Sequence, residues 1–231
     1  MIRRLLAVFA LATLLPVAQA QNPDKGGADK WVEGRNYFAV NPELRTSVPP
    51  GKVEVTEVFS YGCPHCSNFR PVIQQMKDSL PPNAQLVFIP ASFNPGESWP
   101  LFQRAYCTAE VLGVAGKAHD AMFDAVWKSG ELAVVDMSTG RLKSPAPTID
   151  DVARLYNKVT GVPVDKFVEV SKSFAVGVKM KADDSFVLHA LVDSTPTIIV
   201  NGKYRVTMEA AGGANQMLQV VKFLVQKESG H

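Results

Sequence analysis

Val53-Glu54-Val55-Thr56-Glu57-Val58-Phe59-Ser60-Tyr61-Gly62-Cys63-Pro64-His65-Cys66 is the stretch on which the reading of this chain turns. Its first seven residues are rich in β-branched and aromatic side chains and read as a strand. Beyond the second cysteine, Phe69, Val72, Ile73, Met76 and Leu80 recur at helical spacing, which predicts a helix from about Cys63 to about Ser79. Pro64 suits the first turn of that helix, where its missing N–H is no loss. Cys63 is therefore expected at a helix N-terminus, beside unpaired backbone N–H groups and the positive end of the dipole. That setting favours the thiolate, and His65 is a second source of positive charge. Two cysteines at i and i+3 on a helix start are close enough to bridge, so the dithiol can cycle. A structural disulfide and half of a zinc site are the competing readings. Zinc takes about four ligands, and only Cys107, His119, His189 and His231 remain, none in a second ligand pair. The strand–CxxC–helix context favours redox chemistry.

Outward from that motif, the chain has 231 residues, 46% of them hydrophobic and 20% charged, enough for one domain with an insertion or two small ones. Met1 to Ala20 reads as an export leader. Arg3 and Arg4 form its positive end, Leu5 to Val17 its apolar core, and Ala18-Gln19-Ala20 a small-x-small cleavage site. The apolar run is shorter than the ~20 residues of a spanning helix, and no cysteine at the junction suggests a lipid anchor. The mature chain is expected to begin at Gln21, soluble, in a compartment where disulfides persist. The whole chain carries 24 basic and 22 acidic residues. Losing Arg3 and Arg4 leaves 22 of each, so charge gives no case for binding nucleic acid or an anionic membrane.

In chain order, Gln21 to Lys30 reads as a loose tail and Asn36 to Val40 as a short strand. Asn41 to Gly51 is a loop. The apolar run Ala84 to Pro90 predicts a strand buried on both faces of a sheet. From Glu97 to about Ala190 only helical periods are evident. Thr148 is a good N-cap, with Asp150 and Asp151 in the first turn that follows. Leu132 to Pro147 reads as a loop. Strand character resumes at Thr197 to Val200, and Asn201-Gly202 predicts a hairpin into Lys203 to Val206. A last helix is expected from about Gly213 to Lys227.

Together these features resemble the thioredoxin fold, and more closely the DsbA family of bacterial thiol–disulfide oxidoreductases. The resemblance is carried by Glu57 to Cys66, by a helical insertion of this size and position, and by Ser194-Thr195-Pro196-Thr197 ahead of the Asn201-Gly202 hairpin. It implies an α/β fold, thioredoxin with an inserted all-helical domain: residues 21–95 as its first part, 96–190 as the insertion, and 191–231 as its completion. It implies that Cys63 is the nucleophile, Cys66 its buried partner, and His65, after Pro64, the group that holds the thiolate. Pro196 would be a cis-proline facing the site, with Thr195 offering backbone hydrogen bonds to an extended client. Glu57 matches a buried acid beneath the active site, a proton relay to Cys66; no lysine in Ala84 to Pro90 is there to pair with it.

The implied activity is donation of the Cys63–Cys66 disulfide to exported proteins in a bacterial periplasm. No cofactor or metal is expected beyond that disulfide. The implied partners are folding proteins with free cysteines and a quinone-coupled membrane oxidase resembling DsbB, and a monomer is expected. The alternatives are an isomerase or reductase kept reduced, and a non-enzymatic peptide-binding chaperone. About 30 residues separate Gln21 from the active strand, too few for the dimerisation domain of DsbC-type isomerases. Cys107 is expected to act as a small buried hydrophobe; His119, His189 and His231 receive no functional role.

Overall fold

The computed structural model describes residues 30–230. The leader, Met1 to Ala20, most of the expected tail and His231 lie outside the described residues. The elements begin with β1 (Phe38–Ala39), β2 (Val53–Phe59), α1 (Pro64–Ser79) and β3 (Ala84–Pro90). A short 3-10 turn, Pro95–Glu97, leads into α2 (Trp99–Val111) and α3 (Ala115–Trp127). There follow β4 (Val135–Asp136), β5 (Arg141–Leu142), α4 (Ile149–Thr160), α5 (Val164–Ser171) and α6 (Phe174–His189). The chain returns to the sheet with β6 (Thr197–Val200) and β7 (Tyr204–Thr207), then closes with α7 (Met208–Ala211) and α8 (Ala214–Glu228).

Five strands form one sheet in the order β1-β7-β6-β2-β3. β2 runs parallel to β3 and antiparallel to β6, and β6 pairs antiparallel with β7 across the Asn201–Gly202 turn. This is the thioredoxin arrangement, with five helices between β3 and β6. On one face, Val53, Val55, Ile198, Val200 and Val206 pack with Phe69, Ile73 and Met76 of α1 and Met217, Val221 and Leu224 of α8. On the other, Val58 and Ile199 join the core of the inserted helices, built on Phe102, Tyr106, Met122, Phe123, Tyr156 and Phe167.

Two expectations change. The strand buried along its whole length is β2; β3, with the more continuous apolar run, is half-buried over most of its length. Its place at the sheet edge explains this, since it has one neighbouring strand where β2 has two. β2 tolerates burial of Glu54 because that carboxylate accepts hydrogen bonds from the Ser47 N–H, the Ser47 hydroxyl and the Thr56 hydroxyl at 2.6, 2.6 and 2.9 Å. The second change is in Leu132 to Pro147, where a two-residue hairpin, β4 with β5, interrupts what reads as a loop. Helix α7 also goes unannounced in the sequence, because four residues are too few to show a period.

Candidate active site

The chain enters the site through a turn that is fixed before the helix begins. The Gly62 N–H donates to the Ser60 hydroxyl (3.1 Å) and the Cys63 N–H to the Ser60 carbonyl (3.1 Å). Cys63 is the N-cap of α1, in extended conformation, with Pro64 at the first helical position. Its sulfur accepts from the Cys66 N–H at 3.3 Å, which is the N-cap bond in which a Ser or Asp oxygen usually takes part. Its thiol donates to the Thr195 carbonyl at 3.4 Å. Both Cys63 and Cys66 are buried free thiols.

These contacts separate the two thiols in acidity. The Cys63 thiol is lowered to about 6, chiefly by the hydrogen bond from the Cys66 thiol; Thr195 and the backbone N–H groups of Cys66 and His65 add to it, against the cost of burial. The Thr195 hydroxyl is buried without a hydrogen-bond partner and stands near enough to the sulfur to favour its charged form. Burial pushes the Cys66 thiol up, and the bond to Cys63 pushes in the same direction. The pair is therefore one thiolate and one thiol near neutral pH.

Glu57, six residues before Cys63, is 3% exposed. Burial raises its carboxyl well above the usual range, and the nearby Cys63 charge raises it further. Among the described residues no cation forms an ion pair with it, so its neutral form is favoured. Glu57 lines a cleft of about 830 Å3 between α1, β3 and α3, which Lys77 and His119 also line.

The other expected residues gather at the opposite side of Cys63. The Thr195–Pro196 peptide is cis. Thr195, Pro196 and His65 border a groove of about 1020 Å3, with Arg35, Phe38, Arg205 and Met208 further along it. His65 is exposed, as is Pro64. What reaches the Cys63 sulfur from His65 is the backbone N–H rather than the ring. That bond belongs to the helix start, the first of the two sources of stabilisation read from the sequence.

Several residues of this site carry no signal in the sequence. Trp99 lies against Gly62 so closely that a Cβ there would come within 2.7 Å of its Nε1. The Trp127 indole donates to the Tyr61 carbonyl at 2.8 Å, holding the loop just before Cys63. The Tyr61 hydroxyl meets His119 Nδ1 at 3.1 Å. Each comes from the inserted helices, and only the fold brings them to the motif. Cys107 is buried as expected but is not merely a hydrophobe: its thiol donates to Asp183 at 3.2 Å. His189 is exposed on α6.

No protein-family model matches the chain. Curated proteins do. The chain is 34% identical over 227 residues to the thiol:disulfide interchange protein DsbA of Pseudomonas aeruginosa, covering 97% of this chain and 95% of that protein. To the protein of the same name in Pseudomonas syringae pv. tomato it is 38% identical over 198 residues, 84% of this chain and 83% of the relative. Among solved structures, Pseudomonas aeruginosa DsbA is similar at a TM-score of 0.72 and 31% identity, over 87% of this chain and 96% of that one. The oxidoreductase DsbA from Xylella fastidiosa is similar at 0.74 and 31%, over 87% and 98%.

Proposed function

The chain belongs to the DsbA family of thiol:disulfide interchange proteins, thiol–disulfide oxidoreductases on a thioredoxin fold, and on that premise we propose that it works as an oxidant, donating its Cys63–Cys66 disulfide to exported proteins. A client thiolate attacks the Cys63 sulfur. The Cys63–Cys66 bond breaks, and Cys66 leaves with the electron pair and takes a proton from Glu57. The client's second thiol loses its proton to solvent and attacks the mixed disulfide. Cys63 leaves as a thiolate, and the client disulfide is complete. Glu57 regains its proton from solvent; two client thiols have then given two electrons and two protons, of which Cys66 holds one and solvent the other.

The observation that carries this direction is the unequal pair. A sulfur lowered to about 6 is about nine-tenths thiolate at pH 7, where an ordinary thiol is a few per cent ionised. That ionisation stabilises the reduced enzyme by about 1.4 kcal/mol, or about 30 mV for two electrons. It also makes Cys63 a good leaving group in the last step. In this reading Thr195 offers its backbone to an extended client lying in the groove beside Pro196, and His65 and Pro64 shape the edge of that groove.

The oxidant works in the bacterial periplasm, after removal of residues 1–20, as a monomer. Its clients are folding proteins with free cysteines, and a DsbB-like quinone-coupled membrane oxidase restores the disulfide. The deciding experiment is the reduction potential of the Cys63–Cys66 pair, equilibrated against glutathione. A value well above the cytosolic glutathione poise of about −220 to −260 mV is expected. A value near thioredoxin's, about −270 mV, would make the protein a reductase.

A further inference from the structure

The Glu57 cleft is also lined by a titratable ring that the disulfide exchange leaves without a task. His119, on α3, packs its ring 4.5 Å from that of Phe88 and 5.0 Å from that of Phe59. Phe88 stands directly beside Glu57 in the parallel register of β2 and β3. Phe59 lies two residues along β2, on the same face as Glu57. Adjacent strands are about 4.8 Å apart, and alternate residues of one strand about 6.6 Å apart. The two rings therefore bracket Glu57, and His119 rests on both. His119 is half-buried and lines the cleft that Glu57 lines.

The hydrogen bond at Nδ1 orders the imidazole. Its partner is the Tyr61 hydroxyl at 3.1 Å. Burial pushes that phenol well above its usual range, so it keeps its proton, for which Tyr156 is a second acceptor beside Nδ1. When the phenol donates to Nδ1, the N–H of the neutral ring is on Nε2. Burial holds the ring neutral, lowering it to about 4 against the pull of Asp120, and Arg70 acts in the same direction as burial. Those two charges already face each other: Arg70 pairs with Asp120 at 3.4 Å and with Asp124 at 2.8 Å, and Lys128 also pairs with Asp124, at 3.0 Å. From α2 comes Tyr106, a phenol that burial keeps protonated, its ring 6.1 Å away. From α1, Lys77 reaches the cleft as a competing cation.

We propose that Tyr61 donates to His119 Nδ1 and that His119 is a positioning residue for Glu57, its Nε2–H donating through a water in the shared cleft to the carboxylate that forms when Cys66 takes the Glu57 proton. The inference rests on Glu57 being that donor, not on the direction of disulfide transfer. Cys66 leaves as a thiolate and becomes a thiol; Glu57 goes from carboxylic acid to carboxylate and regains its proton from cleft water. The imidazole is neutral before and after. Without it, a carboxylate would form in a buried place that has no ion-pair partner among the described residues.

The test is a carboxyl-resolved NMR titration of Glu57 in the reduced mature chain, alongside the pH profile of single-turnover disulfide reduction by dithiothreitol. His119→Phe keeps the ring packing and removes the donor; it should raise the Glu57 midpoint by roughly one pH unit, tenfold in proton affinity, and move the pH profile with it. His119→Gln, which can place an N–H near Nε2, should restore most of the shift, and Lys77→Met should cause little. An unchanged or lowered midpoint in His119→Phe, or equal shifts in His119→Phe and His119→Gln, would overturn the proposal. Should His119→Phe not fold, Tyr61→Phe removes only the hydroxyl that fixes the tautomer and should raise the midpoint by a smaller amount; no change there would overturn the proposal too. Failure of the underlying role of Glu57 reads out separately, as a Glu57→Gln variant whose reduction profile matches the parent's.

Discussion

At Cys63, one side chain does the work of a helix cap and of a nucleophile. A serine there would satisfy the Cys66 N–H equally well, but sulfur at that position turns cap stabilisation into acidity. The consequence is a break in the pH dependence of the potential. Below about pH 6 the reduced pair binds two protons, and the potential should fall by about 59 mV per pH unit; above it one proton is bound, and the slope should halve to about 30 mV. Redox titrations from pH 4.5 to 8 would show it, and a single slope of about 59 mV per pH unit through pH 6 would mean that Cys63 keeps its proton. The residues of this chemistry were largely legible. Cys63, Cys66 and Glu57 announce themselves through local context, the last as an acid on the face it shares with Val53, Val55 and Phe59. Thr195 and Pro196 were found through resemblance, since nothing within four residues says they meet Cys63. His119, Trp99 and Trp127 carry no such signal, because a helical period reports burial and not what else is buried alongside.

Among the elements, the β6–β7 hairpin separates what a sequence states from what only packing adds. Asn201-Gly202 predicts the turn, and both residues have positive φ, 53° and 66°. The second demand on Gly202 comes from elsewhere: a Cβ there would sit 2.2 Å from the Leu44 carbonyl oxygen, on the loop after β1. Gly161, at the end of α4, has a similar φ of 79° with nothing within 4 Å of the same point. Gly161→Ala should therefore cost about 1 kcal/mol of left-handed strain. Gly202→Ala should cost at least ~2 kcal/mol more, because the loop must move. Urea unfolding of the two variants decides it, and equal losses would mean that the Leu44 loop yields freely. The start of α4 was readable for a related reason. Thr148 and Asp151 form a reciprocal capping box, the Asp151 N–H donating to the Thr148 hydroxyl at 3.3 Å and the Thr148 N–H to Asp151 at 2.7 Å. All of its partners lie within one turn. β3 misled because its apolar run is a local fact, whereas its place at the sheet edge is a global one.

Across the whole molecule, the inserted helices cover the sheet with a core that is not wholly apolar. Between α2 and α6, Cys107 donates to Asp183, and Lys179 lies 2.8 Å from Glu110 and 3.7 Å from Asp183. The Asp183 side chain is 7% exposed, and burial raises it to about 6 even though Lys179 pulls the other way. The folded chain thus holds that proton more tightly than the unfolded chain, whose aspartate titrates near 3.8. The stability this contributes is complete below about pH 4 and is lost as the pH rises to about 6, roughly 3 kcal/mol in all. Glu110 and Glu57 are raised as well, also chiefly by burial, and so act with the same sign. Asp183→Asn keeps an acceptor for the Cys107 thiol and removes the titration. Its stability relative to the parent should therefore improve by about 3 kcal/mol between pH 4 and pH 7.5, measured by urea unfolding at both. An equal difference at the two pH values would mean that Lys179 compensates the Asp183 charge fully, and that the α2–α6 seam behaves as a balanced ion pair. The expected outcome has a consequence for the site: α2, which carries Trp99 to the motif, is held by a seam that loosens toward neutral pH, while Cys63 becomes the more reactive thiolate over the same range.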